Sequence, residues 1–279
     1  MADGLVVVCG PDRAPALESI AASHGLAGWV RAGRSVRTSI EAPRFDSLDE
    51  GLEAASAVAV LTPYRGLAGD LESCRQRGIP AVVAGPAAAR ADDPEYAPGR
   101  WRHSQIHASV DGLRKRPSFG RPVYLRQIVG GGAAGLLGAW WGLLEALESA
   151  FELLDGPVTR MRVGAVARNG RWHATATLVA EDGASAQLVV TTSPDPGEDL
   201  MLLGLGGLMH VDGTSVAAGV RDDSGQRRLP IPPAWPDAGW IAASLEGQRH
   251  PPIDRRIRTA LHGALRRAAR LGTLEPVRL

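Results

Sequence analysis

The chain has 279 residues, enough to bury the core of one large domain or two modest ones. Hydrophobic content of 44% with 22% charged residues is that of a globular protein, and a net charge of +1 points to neither a nucleic-acid nor an acidic partner. No apolar run reaches the roughly 20 residues that span a bilayer, and Asp3 with the Gly10-Pro11-Asp12-Arg13 break removes the pattern of a signal peptide, so a cytoplasmic protein is expected.

The first half alternates strands and helices. Leu5 to Cys9 is a short continuous apolar run before Gly-Pro, the pattern of a buried parallel strand. Ala14 to His24 has helical spacing, with Leu17, Ile20 and Ala21 on one face. Leu26 to Val30 predicts a second strand, and Leu48 to Ala55 a helix capped by Asp46 or Ser47. Ala57 to Leu61 predicts a third strand, followed by a helix and a strand over Ala81 to Ala84. This alternation implies right-handed crossovers and a Rossmann-like parallel sheet. Cys9 and Cys74 fall in segments expected to be buried, which makes inert core thiols of both.

The character changes near residue 87. Residues 87–102 are polar and rich in Pro and Gly, a linker or loop. Long strands then follow, over Val123 to Val129, Arg160 to Arg168, Trp172 to Ala180, Ala184 to Thr191, Leu200 to Leu205 and Leu208 to Val211. Asn169-Gly170 and Asp182-Gly183 between alternating runs are hairpin signals. One long helix spans about Gly135 to Leu154, and an amphipathic helix with Arg on its outer face closes the chain over Ile257 to Leu271. An antiparallel sheet with a helix against it, an α+β arrangement, is expected for this half.

The segment Thr62 to Pro86, TPYRGLAGDLESCRQRGIPAVVAGP, resembles the part of the Gfo/Idh/MocA sugar-dehydrogenase family that ends in Glu-Lys-Pro, where the lysine is catalytic. Ala84 and Gly85 stand at the glutamate and lysine positions. GRPVYLRQIVGGG over Gly120–Gly132 with its following helix, the block Asp182 to Gly213, and the tail IAASLEGQRHPP are similar to further family segments. The resemblance implies two domains. A truncated, degenerate Rossmann-like domain would cover 1–119, with its linker at about 87–102. A dehydrogenase-like α+β domain, an antiparallel sheet packed on a long helix, would cover 120–279. It also implies a homodimer built through that sheet. Apolar residues on both faces of its strands (Val163, Ala165 and Val166; Leu178 and Val179) suit such a doubly covered sheet.

The family's functional positions are altered here. A dinucleotide loop uses Gly-x-Gly-x-x-Gly so that backbone N–H groups approach the pyrophosphate. This chain has Gly10-Pro11-Asp12-Arg13-Ala14-Pro15, with only the first glycine. Arg31 stands where an acidic residue would hold the ribose hydroxyls. The family's Asp and His, one helical turn apart, match Leu136 and Trp140, neither of which exchanges a proton at neutral pH. Gly85, Leu136 and Trp140 are therefore lost catalytic positions, and no cofactor is expected.

Other chemistries have little support. The seven His are scattered, with no cluster at metal spacing, and His173 is expected as a surface or sheet residue. Ser104 and His107, beside His103, lack a nucleophile elbow. Arg100-Trp101-Arg102 is expected as a packed loop. Trp140 either plugs vacated space or forms an aromatic wall for a new ligand. The second reading puts Trp140, Arg126, Arg102, His103 and Tyr64 around a ligand.

The resulting expectation is a catalytically inactive, oxidoreductase-like protein. It would bind a peptide or a biosynthetic intermediate for partner enzymes of a natural-product pathway, with no nucleic acid or membrane involved. Two alternatives stand: an active NAD(P)-dependent oxidoreductase with atypical cofactor binding, and a structural subunit that stabilises an active homologue.

Overall fold

The computed structural model describes residues 4–33, 38–62, 64–83, 105–130, 135–192, 198–212, 217–222, 225–230, 241 and 253–279. Two compact units form: Met1–Gly99 with Trp235–Pro252, and Arg100–Ala234 with Ile253–Leu279. The division after Gly99 differs from the boundary expected after 119.

The first unit is a parallel sheet of strands β1 (Leu5–Cys9), β2 (Leu26–Arg31), β3 (Arg44–Phe45), β4 (Ala57–Val60) and β5 (Ala81–Val83), in the order β3-β2-β1-β4-β5. Every side chain of β1, β4 and β5 is buried, which a sheet covered on both faces requires. Helix α1 (Ala14–Ser23) buries Ala16, Leu17 and Ile20 from positions one turn apart. These join Val7, Cys9, Trp29, Ala59 and Ile241 in one core cluster. Helix α2 is shorter than expected, Leu48–Gly51. It is capped by the Ser47 hydroxyl, which accepts from the Glu50 amide at 3.2 Å. Helix α3 (Leu67–Gln76) follows β4 and buries Leu67, Leu71 and Cys74. Strand β3 has no periodic signal. It lies against β2 because Gly28 leaves room: a Cβ there would stand 2.4 Å from the Phe45 ring.

The first described element of the second unit is helix α4 (Gln105–Arg114), which the sequence reading does not anticipate. Ile106, Val110 and Leu113 are buried on it, and His107 and Arg114 meet Glu152 and Asp155 beyond them, both at 2.7 Å. The remaining strands are β6 (Pro122–Gly130), β7 (Val158–Arg168), β8 (Arg171–Ala180), β9 (Ser185–Thr191), β10 (Glu198–Gly204), β11 (Gly207–Asp212), β12 (Ala217–Asp222), β13 (Gly225–Pro230) and β14 (Glu275–Val277). Helix α5 covers Gly135–Leu153 and α6 covers Arg255–Leu271. The strands form one sheet in the order β13-β12-β11-β10-β6-β9-β8-β7-β14.

That sheet is mixed, not antiparallel throughout: β6 and β9 pair in parallel, Tyr124 opposite Ser185 through Gly130 opposite Thr191. Helix α5 packs on β6, β8 and β9, and α6 on β7 and β14. Alternation follows. On β8, Ala174, Ala176, Leu178 and Ala180 are buried, while His173 and Thr177 are exposed. Asn169 and Gly170 both take positive φ, 52° and 74°, at the β7–β8 turn, as an Asn-Gly hairpin requires. Among the described residues no helix is long and apolar enough to cross a membrane.

Candidate functional site

Parallel sheets present ligand sites at the carboxyl ends of their strands, where the strand order reverses. In the first unit that point lies between β1 and β4, both of which neighbour each other in the sheet. Strand β1 is held on both sides up to its last residue: Ala32 donates to the Cys9 carbonyl at 2.9 Å, and Leu61 donates to the Val8 carbonyl at 2.8 Å. The chain then turns through Gly10, whose amide donates to the Thr62 hydroxyl at 2.8 Å. The Arg13 amide closes the turn on the Gly10 carbonyl at 3.0 Å. The Cys9 thiol also points to that carbonyl, at 3.1 Å.

This loop offers fewer backbone donors than a glycine fingerprint. Pro11 and Pro15 have no N–H, and the amides of Gly10 and Arg13 are already bonded inside the protein. Cationic side chains stand there instead. Arg31 ends β2 directly beside Cys9 in register and is exposed, and Arg13 lies in the turn after β1. The residues thus fit a phosphate-bearing group held through guanidinium groups in place of an amide cradle.

Tyr64 also belongs to this unit. Its hydroxyl donates to the Asp70 carboxylate at 2.6 Å. Burial, reinforced by Asp70, pushes that phenol well above its usual range, so it stays protonated near neutrality and holds its hydrogen bond to Asp70. Burial likewise pushes the Cys74 thiol up to about 11, which keeps it unreactive.

In the second unit Leu136 and Trp140 lie on α5, one turn apart. The Trp140 indole N–H donates to the Arg258 carbonyl at 3.2 Å, and its ring meets His262 edge-on at 5.0 Å. Trp140 is therefore held by α6. Arg126 projects from the opposite side of the sheet, since its neighbour Gln127 accepts from Ser149 of α5. Arg126 pairs with Asp199 at 2.8 Å, and His210 reaches the other oxygen of Asp199, also at 2.8 Å. Burial would raise the Asp199 carboxyl, but the bonds from Arg126 and His210 outweigh it and hold the group below the usual carboxylate range. Trp140 and Arg126 thus do not form one wall. Gly85, Arg102 and His103 lie outside the described residues.

A charged groove of about 510 Å³ runs beside α4, lined by Asp111, Arg114, Lys115, Arg116, Arg121 and Asp155. Lys115 and Arg114 are ion-paired to Asp111 and Asp155 within it, at 2.6 and 2.7 Å. No group of His, Cys, Asp and Glu among the described residues is arranged to hold a metal.

No family model matches the chain, and no curated protein is similar to it. Solved structures match nearly its whole length. UDP-N-acetylglucosamine 3-dehydrogenase GnnA from Acidithiobacillus ferrooxidans is similar with a TM-score of 0.74 at 17% identity, covering 95% of this chain and 98% of its own. A dehydrogenase from Chromobacterium violaceum gives 0.71 at 13% identity, with 96% and 95% covered. Levoglucosan dehydrogenase in complex with NADH and L-sorbose gives 0.74 at 12% identity, with 99% of both chains covered. The chain has the two-domain fold of Gfo/Idh/MocA-type dehydrogenases.

These likenesses correct the expectation of a catalytically inactive protein that binds a peptide or pathway intermediate. Solved proteins that share the fold through both units include dehydrogenases, one of them holding NADH and a sugar. Residues at the family's functional positions are replaced, whereas the scaffold extends over the full length of such enzymes.

Proposed function

We propose that the chain is a nicotinamide-dinucleotide-dependent oxidoreductase acting on a sugar-type hydroxyl or keto group, with an atypical way of holding its cofactor. The observation that carries the reading is the whole-length likeness to dehydrogenases, joined to a β1–β4 switch point whose turn is fixed by Thr62 and flanked by Arg13 and Arg31. When bound, a nicotinamide ring supplies the hydride acceptor or donor. The chain's own part is to hold phosphates with arginine side chains and to keep the Gly10 turn in place through the Thr62 hydroxyl. Leu136 and Trp140 do not ionise, so the proton that accompanies hydride transfer goes to a group at another position. The substrate class follows the neighbours, which act on or hold a UDP-linked sugar, levoglucosan and L-sorbose.

The open sheet face of the second unit supports pairing of two copies. Val166 is 62% exposed and Leu203 39% exposed on the side away from α5, next to half-buried Ile128, Val179 and Val189.

The reading is tested by mixing the protein with each dinucleotide and a panel of sugars, sugar nucleotides and their keto forms, and following absorbance at 340 nm. Turnover that depends on both dinucleotide and sugar is expected. A protein that binds neither dinucleotide would overturn it.

A further inference from the structure

We infer that the groove at the end of α4 binds a phosphate group, free or carried as an ester by a small metabolite, with Arg116 as its anchor. The inference goes beyond the oxidoreductase reading and does not depend on it, because the groove lies wholly in the second unit. Its volume is about 510 Å³, and four cations, Arg114, Lys115, Arg116 and Arg121, face two carboxylates, Asp111 and Asp155. Among the described residues no aromatic or long aliphatic side chain lines it, so recognition there is by charge.

The wall that carries Arg116 is fixed on both sides. The Arg116 amide donates to the Leu113 carbonyl at 2.9 Å, and the Phe119 amide donates to the Arg116 carbonyl at 3.1 Å, so the chain leaves α4 through a tight turn. Phe119 is fully buried, and its carbonyl accepts from the Gly206 amide at 3.0 Å. The Arg121 carbonyl accepts from the Leu205 amide at 3.0 Å, and the Ser118 hydroxyl donates to Asp222 at 3.0 Å. Pro117 and Pro122 remove further backbone freedom. A segment pinned in this way presents its cations already ordered, which lowers the cost of binding.

The charges leave one guanidinium unmatched. Arg114 is paired with Asp155 at 2.7 Å, Lys115 with Asp111 at 2.6 Å, and Arg121 with Asp182. Arg116 is half-buried and has no ion pair or side-chain hydrogen bond among the described residues. A guanidinium keeps its proton at any ordinary pH, so this charge stays partly removed from water without a counter-ion. The negative end of the α4 dipole, roughly half a charge, offsets it only in part. The fork of N–H donors fits two oxygens of a phosphate. Lys115 sits in an exposed pair, which is weak, so it can share a further oxygen. A phosphate monoester carries roughly −1.5 to −2 charges near neutrality, against one for a carboxylate, and so satisfies Arg116 and Lys115 together.

The experiment is titration of the full chain, at fixed ionic strength, with inorganic phosphate, glycerol 3-phosphate and acetate, followed by backbone amide chemical shifts. Saturable shifts are expected at Lys115, Arg116 and Gly120 for both phosphate compounds, with a dissociation constant at or below about 1 mM, and none for acetate. Arg116→Gln should weaken binding at least about tenfold, and Arg116→Lys, which keeps the charge, should weaken it less. Thermal unfolding checks that both variants fold, and the titration of the parent chain stands without them. Tighter binding of the ester supports a phosphorylated metabolite as the occupant, and equal binding supports the free ion. Shifts confined to Gly10 and Arg13 of the first unit would overturn the inference. So would acetate binding as tightly as phosphate, or Arg116→Gln binding phosphate as the parent does.

Discussion

In the first unit β1 and β4 bury every side chain, whereas in the second β8 buries only alternate residues from Ala174 to Ala180. A sheet covered on both faces leaves only its strand ends free to meet a ligand. A sheet covered on one face by α5 and α6 offers a broad surface on the other, where Arg126, Asp199 and His210 form their hydrogen-bonded group. The proposed dinucleotide site accordingly lies at the β1–β4 switch point, and the proposed contact between copies at the open sheet.

The covered face of the second unit gives the largest expected effect. A Cβ on Gly142 would stand 2.6 Å from a methyl of Val190, so α5 approaches β9 as closely as a glycine allows. Gly142→Ala should lower stability to chemical denaturation by about 1–3 kcal/mol, despite the roughly 0.5–1 kcal/mol that replacing a mid-helix glycine otherwise adds. Adding Val190→Ala should recover part of the loss. Unchanged stability in the single variant would mean that this face is not closely packed.

The strand-end site of the first unit comes next. Thr62→Ala leaves the part-buried Gly10 amide without its acceptor and should destabilise the protein by about 1 kcal/mol. Dinucleotide affinity should fall with it, while Thr62→Ser stays near the parent. A variant that loses neither stability nor affinity would separate Thr62 from the site.

At the open side, Asn169→Ala forces a residue with a poor left-handed preference to φ near 52° at the β7–β8 turn. A loss of about 1 kcal/mol is expected, with Asn169→Gly close to neutral. The smallest effect concerns acid. The Asp199 carboxyl is held below its unfolded-state value, so its contribution is complete above the usual carboxylate range and disappears as pH falls through the folded-state pKa. Because Arg126 and His210 are partly exposed, that contribution is below about 1 kcal/mol. Asp199→Asn should flatten the acid limb of a stability–pH curve, and an unchanged limb would assign acid sensitivity elsewhere.

Much of the fold was legible because each unit follows one simple period. Leu5–Cys9 announces a doubly covered strand by being apolar throughout, and Asn169-Gly170 announces a hairpin by its conformational demand. What stayed hidden was non-local or short. Nothing within β6 or β9 states that they pair in parallel across the intervening α5, β7 and β8. β14 is three residues long with Pro276 in it, an edge strand whose pairing depends on β7. Helix α4 did carry a signal, Ile106, Val110 and Leu113 at helical spacing, but it follows a polar, Arg- and Trp-rich stretch. For the site, the sequence shows which family positions Leu136 and Trp140 occupy. It does not show that the Thr62 hydroxyl caps the Gly10 amide across 52 residues, or that Trp140 turns toward α6. The replaced side chains at Gly85, Leu136 and Trp140 are legible in the sequence, whereas the extent of the dehydrogenase-like fold over the whole chain is not.

The most direct test of that account is calorimetric titration of the intact chain with NADPH and NADH. A dissociation constant below about 100 μM, roughly −5.5 kcal/mol, is predicted for at least one of them. No heat of binding for either at millimolar dinucleotide would contradict it.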